Sequence, residues 1–382
     1  MKKEHFYKIL GAILFLTVAM GIGRFSFTPI LPYMKEAEGF SVGIGSWIAA
    51  GNYIGYLIGA LAAGFIVKKQ KSILIISAWF CFASVIFMAF SHSFVSWFSL
   101  RILGGVTGGF IFVLTSSMIM DYLAKHQLSK WSGYIFSGIG LGIAISGLVV
   151  PLFISFSTWR SAYIGLAIIA AICIFVTMYL WRNLTAEKHT VVHKKENVMK
   201  GFMFWLAIAY GFEGLGYIIT GTFLVDLIHE IPSLQQYAAF SWVIVGIGAI
   251  PSAPLWTWLM STYKPIRVIR IAYLLQAGGI LLPVISSNVW TVLLSALLFG
   301  STFVGLVSMT TGYGRQLFPQ KSVSVVSLLT TFYAVGQIIG PIIAGMLITH
   351  YETYNAALIF ATAIIIVAVF CLQFGHRKYI ND

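Results

Sequence analysis

Long, almost uncharged apolar runs separated by short polar connections recur twelve times along this chain of 382 residues. A run of about 20 apolar residues crosses the hydrocarbon core of a bilayer as an α-helix. The runs predict helices near 8–33, 43–67, 72–91, 94–120, 132–155, 159–182, 201–229, 236–260, 268–287, 289–313, 323–349 and 354–374. Only 9% of the residues are charged and 59% are apolar, a balance that no water-facing surface accommodates. Spans of this length exclude a transmembrane barrel, whose strands are about 10 residues long and alternate in polarity. Lys2 and Lys3 ahead of an apolar stretch from Ile9 have the outline of a secretory leader. The stretch runs on past Arg24 to Pro32, too far for a leader's core, and reads as a retained first helix. The expected fold class is an all-α polytopic membrane protein with twelve transmembrane helices, its partner the lipid bilayer.

The net charge of +13 would suit nucleic acid if it were gathered on one face, but it is scattered through short loops, so no nucleic acid is expected. Of the 24 Lys and Arg, 20 fall at the two chain ends and in every second connection, from Lys68, Lys69 and Lys71 to Arg315 and Lys321. Lys35 and Arg160 belong to the opposite side, and Arg24 and Arg101 lie within spans. The positive-inside rule then gives an even helix count, both termini in the cytoplasm and a plasma-membrane location. Cys81, Cys173 and Cys371 each sit in an apolar run and read as small buried hydrophobes.

The longest polar stretch, 183–200, reads as a cytoplasmic linker between an N-terminal six-helix bundle, 1–182, and a C-terminal one, 201–382. Asn183-Leu184-Thr185 fits a glycosylation sequon that a cytoplasmic loop does not use. The two bundles repeat each other. Gly21-Ile22-Gly23-Arg24-Phe25 matches Gly214-Leu215-Gly216-Tyr217-Ile218, and Ser46-Trp47 with Gly51 matches Ser241-Trp242 with Gly246. Gly105 and Thr107 match Gly300 and Thr302, and Gly138, Gly142 and Gly147 match Gly336, Gly340 and Gly345. The offset stays between 193 and 198. Parallel repeats of this kind place a binding site between the halves, near the bilayer midplane.

Two six-helix halves joined by a basic loop resemble the major facilitator superfamily. The glycine series ending at Pro151 is similar to its fifth-helix motif, and Arg101 with Gly105 and Gly109 to its fourth-helix arginine motif. Gly21 to Phe25 with Pro29 and Pro32, Asn52 to Tyr56 with Gly59, and Glu213 through Tyr217 to Phe223 resemble the YbfB/YjiJ-like branch. The resemblance covers the whole chain and implies two pseudo-symmetric bundles and secondary transport. One position departs from the pattern. Lys68 stands where the superfamily's loop between helices 2 and 3 carries an acid, so a gate built on that acid is not expected.

Among residues that could carry chemistry, Glu213 is the sharpest. It lies about 12 residues into helix 7, roughly 18 Å along the axis. A carboxylate at that depth must face a cavity, pair, or take up a proton, and one that does so reversibly couples protons to transport. The alternative is a protonated acid tying two helices. Arg24, roughly 24 Å into helix 1, is a candidate to bind a substrate carboxylate bidentately, to serve as counter-ion to Glu213 across the interface, or to snorkel to the headgroups. For Arg101 the resemblance implies proton coupling, against snorkelling, and its repeat counterpart is Ala296. Asn52 and Tyr56 share a stripe of helix 2 and either line the cavity or bond across helices, beside Gly51, Gly55 and Gly59, which read as packing. Tyr210, Tyr217, Tyr333 and Gln337 are further candidates for the substrate site. Asp226, near the outer end of helix 7, reads as a solvated helix-end acid or a gate partner.

Enzyme signatures are missing. Gly138-Ile139-Gly140-Leu141-Gly142 has the look of a nucleotide loop but lies inside a membrane run with no strand before it. No Walker sequence occurs, and no histidine has metal-ligand company, so neither cofactor nor metal is expected. The expected function is proton-coupled, alternating-access transport of a small organic solute by a monomer. Efflux of a drug-like compound is the alternative, and a receptor or scaffold the reading from a different class. The charge segregation makes a direct prediction. Reporters fused after Lys195 and after Asp382 will be cytoplasmic and one near Glu38 external; a cytoplasmic signal from the Glu38 site overturns the topology.

Overall fold

The computed structural model describes residues 3–66, 68–184 and 198–381. Among these, twelve helices are long and apolar enough to cross a membrane, and there is no strand. They are α1 (Lys3–Glu38), α2 (Val42–Ala63), α3 (Gln70–Met88), α4 (Phe94–Lys125), α5 (Ser129–Ile154), α6 (Trp159–Leu180), α7 (Phe202–His229), α8 (Gln235–Thr262), α9 (Pro265–Ile285), α10 (Val289–Leu317), α11 (Ser324–Tyr351) and α12 (Tyr354–Lys378). All twelve expected spans are present. Helices α4 and α10 run about a turn past their predicted inner ends, carrying Lys125 and Arg315 on their last turns as the C-terminal macrodipole favours. Most of the proposed linker, 185–197, lies outside the described residues.

The first span is not the continuous helix the sequence suggests. An α-helical segment ends at Leu16, a π-helical turn follows over Thr17–Ile22, and the α-helix resumes only at Phe27. Gly23 and Phe25 donate their amides five residues back, to the carbonyls of Val18 (2.7 Å) and Met20 (3.0 Å). Two causes lie in the sequence. Gly21 and Gly23 weaken the helix, and Pro29 and Pro32 supply no amide for the carbonyls four residues before them. Breaks in transmembrane helices are tolerated only where protein satisfies the freed groups. The outer segment stops at Gly39, whose φ of 68° and amide bond to the Lys35 carbonyl (3.0 Å) form a left-handed cap.

Backbone meets backbone within each bundle. Gly55 and Gly59 of α2 press on the carbonyls of Ile102 and Val106, and Gly105 and Gly109 of α4 press back on Asn52 and Gly59. In the second bundle Gly300 of α10 meets Val245 of α8 and Gly248 meets the α10 backbone. Gly21 against Gly142 joins α1 to α5, and Gly336 against Gly211 joins α11 to α7. The neighbours therefore repeat: α2 with α4 and α8 with α10, α1 with α5 and α7 with α11, α3 with α6 and α9 with α12. Lipid tails are as apolar as leucine, so such close approach and its dispersion energy replace the hydrophobic drive. Large apolar side chains such as Phe80, Phe156 and Phe370 stay exposed, where lipid covers them.

Three seams join the bundles. Helix α5 packs on α8, where Gly140 and Gly246 sit in the contact and Ser137 Oγ donates to the Ile250 carbonyl at 2.6 Å. Helix α2 packs on α11 through Ser46 and Gly345. The outer part of α1 lies on α7, with Thr28 Oγ1 donating to the Gly221 carbonyl at 2.6 Å.

A side chain at Gly105 would run into the Asn52 carbonyl. Gly105→Val should cost about 1–3 kcal/mol or more and sharply lower the folded yield or Tm in detergent. Gly278 has nothing within 4 Å of a Cβ, so Gly278→Ala should keep or slightly raise Tm. Equal effects of the two would refute the close-approach account.

Candidate functional site

Arg24 projects from the broken part of α1, and its residue is only 5% exposed. Its guanidinium lies between the rings of Tyr53 and Tyr56, 4.8 Å from each centroid, with Phe25 at 5.3 Å. Cation–π contacts of this kind strengthen away from water. Nη2 donates to the Tyr217 hydroxyl across the interface at 3.4 Å, and that hydroxyl also accepts from Gln337 Nε2. The snorkelling alternative is thereby corrected: the side chain turns inward to tyrosines. Tyr53, which holds it and also bonds Thr222 at 3.3 Å, was not among the predicted residues. Its spacing of three from Tyr56 puts both rings on one helix face, and that was the available signal.

Arg101 is also buried, 4% exposed, so snorkelling fails for it too. Nη1 donates to the Gly23 carbonyl (3.1 Å) and Nη2 to that of Arg24 (3.2 Å), while the guanidinium lies 4.8 Å over the Phe27 ring. It therefore pairs two carbonyls that the α1 break leaves without helical partners. Asn52 Nδ2 in turn donates to the Arg101 carbonyl at 3.1 Å. Asn52 thus bonds across helices, and Arg101 fixes the stretch of chain that carries Arg24.

Glu213 is fully buried and enters none of the ion pairs among the described residues. Oε1 accepts from Gln276 Nε2 of α9 at 3.4 Å, and the Tyr333 hydroxyl faces the carboxyl group. The counter-ion pairing of Arg24 with Glu213, one of the alternatives, is not made: Arg24 bonds Tyr217, and Tyr333 stands between that ring and the carboxyl. Gln276, a lone amide in the middle of an apolar run, is the residue that sequence reasoning missed here. Around the carboxyl a ladder of near-parallel rings crosses the second bundle. Tyr210 stacks on Tyr333 (4.4 Å), Tyr333 on Tyr217 (5.4 Å), Tyr217 on Phe303 (5.7 Å) and Phe303 on Phe299 (5.3 Å). The planes of successive rings differ by 9–20°. Arg24, Tyr56, Tyr217, Tyr333 and Gln337 are thus brought to one centre, with Glu213 at its far side, whereas Asn52 faces α4.

Asp226 is not the solvated helix-end acid that its position suggests, because it is 0% exposed. Lys35 of α1 donates to Oδ1 at 2.7 Å and to Glu230 at 2.8 Å, and the Tyr354 hydroxyl of α12 donates to Oδ2. This cluster ties the Lys35 end of α1 in one bundle to the Asp226 end of α7 and the start of α12 in the other. Removing one member of a buried pair leaves its partner uncompensated, a far larger penalty than loss of a surface pair. A second pair, Arg160 with Glu38 at 2.8 Å, fastens α6 to the α1 end within the first bundle. No grouping of His, Cys, Asp and Glu suited to a metal occurs among the described residues.

Over residues 16–373 the sequence matches the model of a family described as uncharacterised MFS-type transporter YbfB. The chain belongs to this family. Its members are major facilitator transporters, so the chain is a multi-pass secondary transporter of small solutes and not an enzyme. It is 23% identical over 380 residues to quinolone resistance protein NorA of Staphylococcus aureus (strain COL), covering 96% of each chain. With the uncharacterized MFS-type transporter YuxJ of Bacillus subtilis (strain 168) it shares 24% over 334 residues, 82% of this chain and 83% of that one. Two crystal structures have the same fold. Nucleoside transporter NupG superposes with a TM-score of 0.72 at 14% identity, covering 98% of this chain and 99% of that one. A bacterial homolog of the human lysosomal transporter Spinster, inward-facing and occupied, gives 0.73 at 14%, covering 100% and 98%.

The cage around Arg24 is flat, and an ammonium is a compact point charge without a flat face. Arg24→Lys should reach the membrane normally yet lose roughly tenfold or more in transport rate, measured as uptake or efflux in vesicles. Near-normal kinetics would reduce Arg24 to a packing element.

Proposed function

We propose that this transporter couples protons to the movement of a small organic solute, with Arg24 anchoring the solute and Glu213 carrying the proton. The reading rests chiefly on one observation: a fully buried carboxyl whose hydrogen-bond partner is neutral Gln276. A charge held there has no cation beside it, so the closed centre favours the neutral acid. When the centre opens to one side, water and the solute change that balance, and the proton is exchanged. Asn52, Tyr56, Tyr217, Tyr333 and Gln337 line or order the solute site in this reading. Arg101 contributes by fixing the α1 break, and Asp226 by closing the outer gate with Lys35. The bundles 1–182 and 201–382 rock about the centre, joined by the linker 183–200. The protein works as a monomer in the plasma membrane with both termini cytoplasmic, in keeping with its basic inner loops.

A second reading within transport, efflux of an amphipathic drug-like compound, is favoured by the ring ladder and by the likeness to a quinolone resistance protein.

Protonation and solute binding at one site are linked thermodynamically. Glu213→Gln, a permanent mimic of the neutral acid, should abolish accumulation against a gradient in proteoliposomes with an imposed pH difference. If solute and proton travel together, binding and passive exchange survive; if they exchange, binding is lost. Unchanged concentrating power with unchanged pH dependence would make Glu213 structural and move the proton site, with Asp226 next to be tested.

A further inference from the structure

Four buried polar atoms around the centre lack a hydrogen-bond partner: Arg24 Nε, Glu213 Oε2, Gln276 Oε1 and Gln337 Oε1. Three of these residues are 0% exposed and Arg24 only 5%. Unpaired buried polar groups are destabilising and rare, and several converging on one place call for a molecule that completes them. They are of two kinds. On the first bundle stands a cationic donor. Nε and Nη2 form one edge of the guanidinium; Nε is unpaired, and Nη2 holds only the long 3.4 Å bond to Tyr217. Such an edge matches the two oxygens of a carboxylate. On the second bundle stand three acceptors: Glu213 Oε2 and Gln276 Oε1 form an acceptor pole at the far side, and Gln337, bonded to the Tyr217 hydroxyl, lies nearer Arg24. Between the poles lie the flat rings of Tyr333 and Tyr217, and Phe303 continues the stack beyond Tyr217.

We infer that the transported solute is an aromatic zwitterion, a flat ring system bearing one carboxylate and one protonated amine. The inference rests on the reading of Arg24 and Glu213 as the two poles of the transport site. The carboxylate takes the Nε/Nη2 edge of Arg24 and displaces the Tyr217 hydroxyl. The amine donates to the acceptor pole, and the ring adds to the ladder by its face. A plain anion would leave three acceptors unmet, and a plain cation would be repelled by Arg24 and leave Nε unanswered. Because the amine and the proton compete for Glu213, loading the solute expels a proton from the carboxyl to water. Solute and proton then move in opposite directions.

The test is a binding screen of the purified full-length protein by thermal shift and calorimetry. The panel holds aromatic and heteroaromatic amino acids, each beside its amine-only, acid-only and ring-hydrogenated analogues. At least one zwitterion should bind, with each of its analogues weaker by roughly tenfold or more. Arg24→Gln should erase the preference over the amine-only analogue, and Glu213→Gln that over the acid-only one. The analogue series on the unmodified protein decides the class even where a variant fails to fold. Equal binding of any analogue overturns the inference, as does a panel without a binder, which would leave the four atoms to water. Proteoliposomes carrying a pH dye separate this from the reading beneath it. A bound zwitterion that neither moves protons nor responds to a pH gradient sinks the coupling but keeps the solute class. Glu213-dependent, gradient-driven movement of a compound outside the class does the reverse.

Discussion

A backbone carbonyl freed inside a bilayer has no water to turn to, and the centre of this transporter is organised around that fact. Breaking α1 at 23–26 leaves carbonyls without helical partners, and Arg101 donates to two of them. Arg24 sits in this irregular stretch with its guanidinium in the tyrosine cage, and Asn52 fastens the α4 backbone that carries Arg101. Two buried arginines thus have different duties, one spent on the backbone and one facing the opposite bundle. A continuous first helix would need neither the second arginine nor the asparagine. The repeat agrees: α7 is continuous where α1 is broken, and Ala296 occupies the position that matches Arg101.

Much of the architecture was legible in the chain because the bilayer imposes one length scale and one sign rule. Apolar runs gave every span, and the repeated glycines gave the internal repeat and positions of close packing, while which helices pair came from the structure. The depth of Glu213 and Arg24 could likewise be counted off. What could not be counted was rotation and partner. Lys35 could be placed in a loop or at a helix end, but its meeting with Asp226 across the interface could not be foreseen. Tyr53 and Gln276 passed unnoticed because an isolated polar or aromatic residue gains meaning only from the residue it faces. The π-helical turn in α1 was hinted at by two glycines and two prolines, but those signals also fit an ordinary kink.

The two ends of the interface differ in kind. The outer end is closed by charge: one lysine serves two carboxylates, with Tyr354 completing the buried one. The centre is closed by aromatic faces and two long hydrogen bonds, Arg24 to Tyr217 and Tyr53 with Thr222. In the proposed cycle, parting this end hydrates Asp226 and Lys35 together, whereas the centre changes by exchanging one weak contact for another. The stiff element and the exchangeable one are different groups, so a solute that disturbs the centre need not itself break the clamp.

The α5–α8 seam has glycine on both sides, with Gly140 of one bundle and Gly246 of the other lying in the contact. Interlocking side chains act as teeth, and two toothed surfaces must separate before they can shift. Here that stretch of the seam is nearly toothless, so one bundle can roll on the other with little loss of dispersion contact. In the rocking cycle proposed above, such a seam serves as a plain bearing and leaves the pace of the motion to the polar contacts around it.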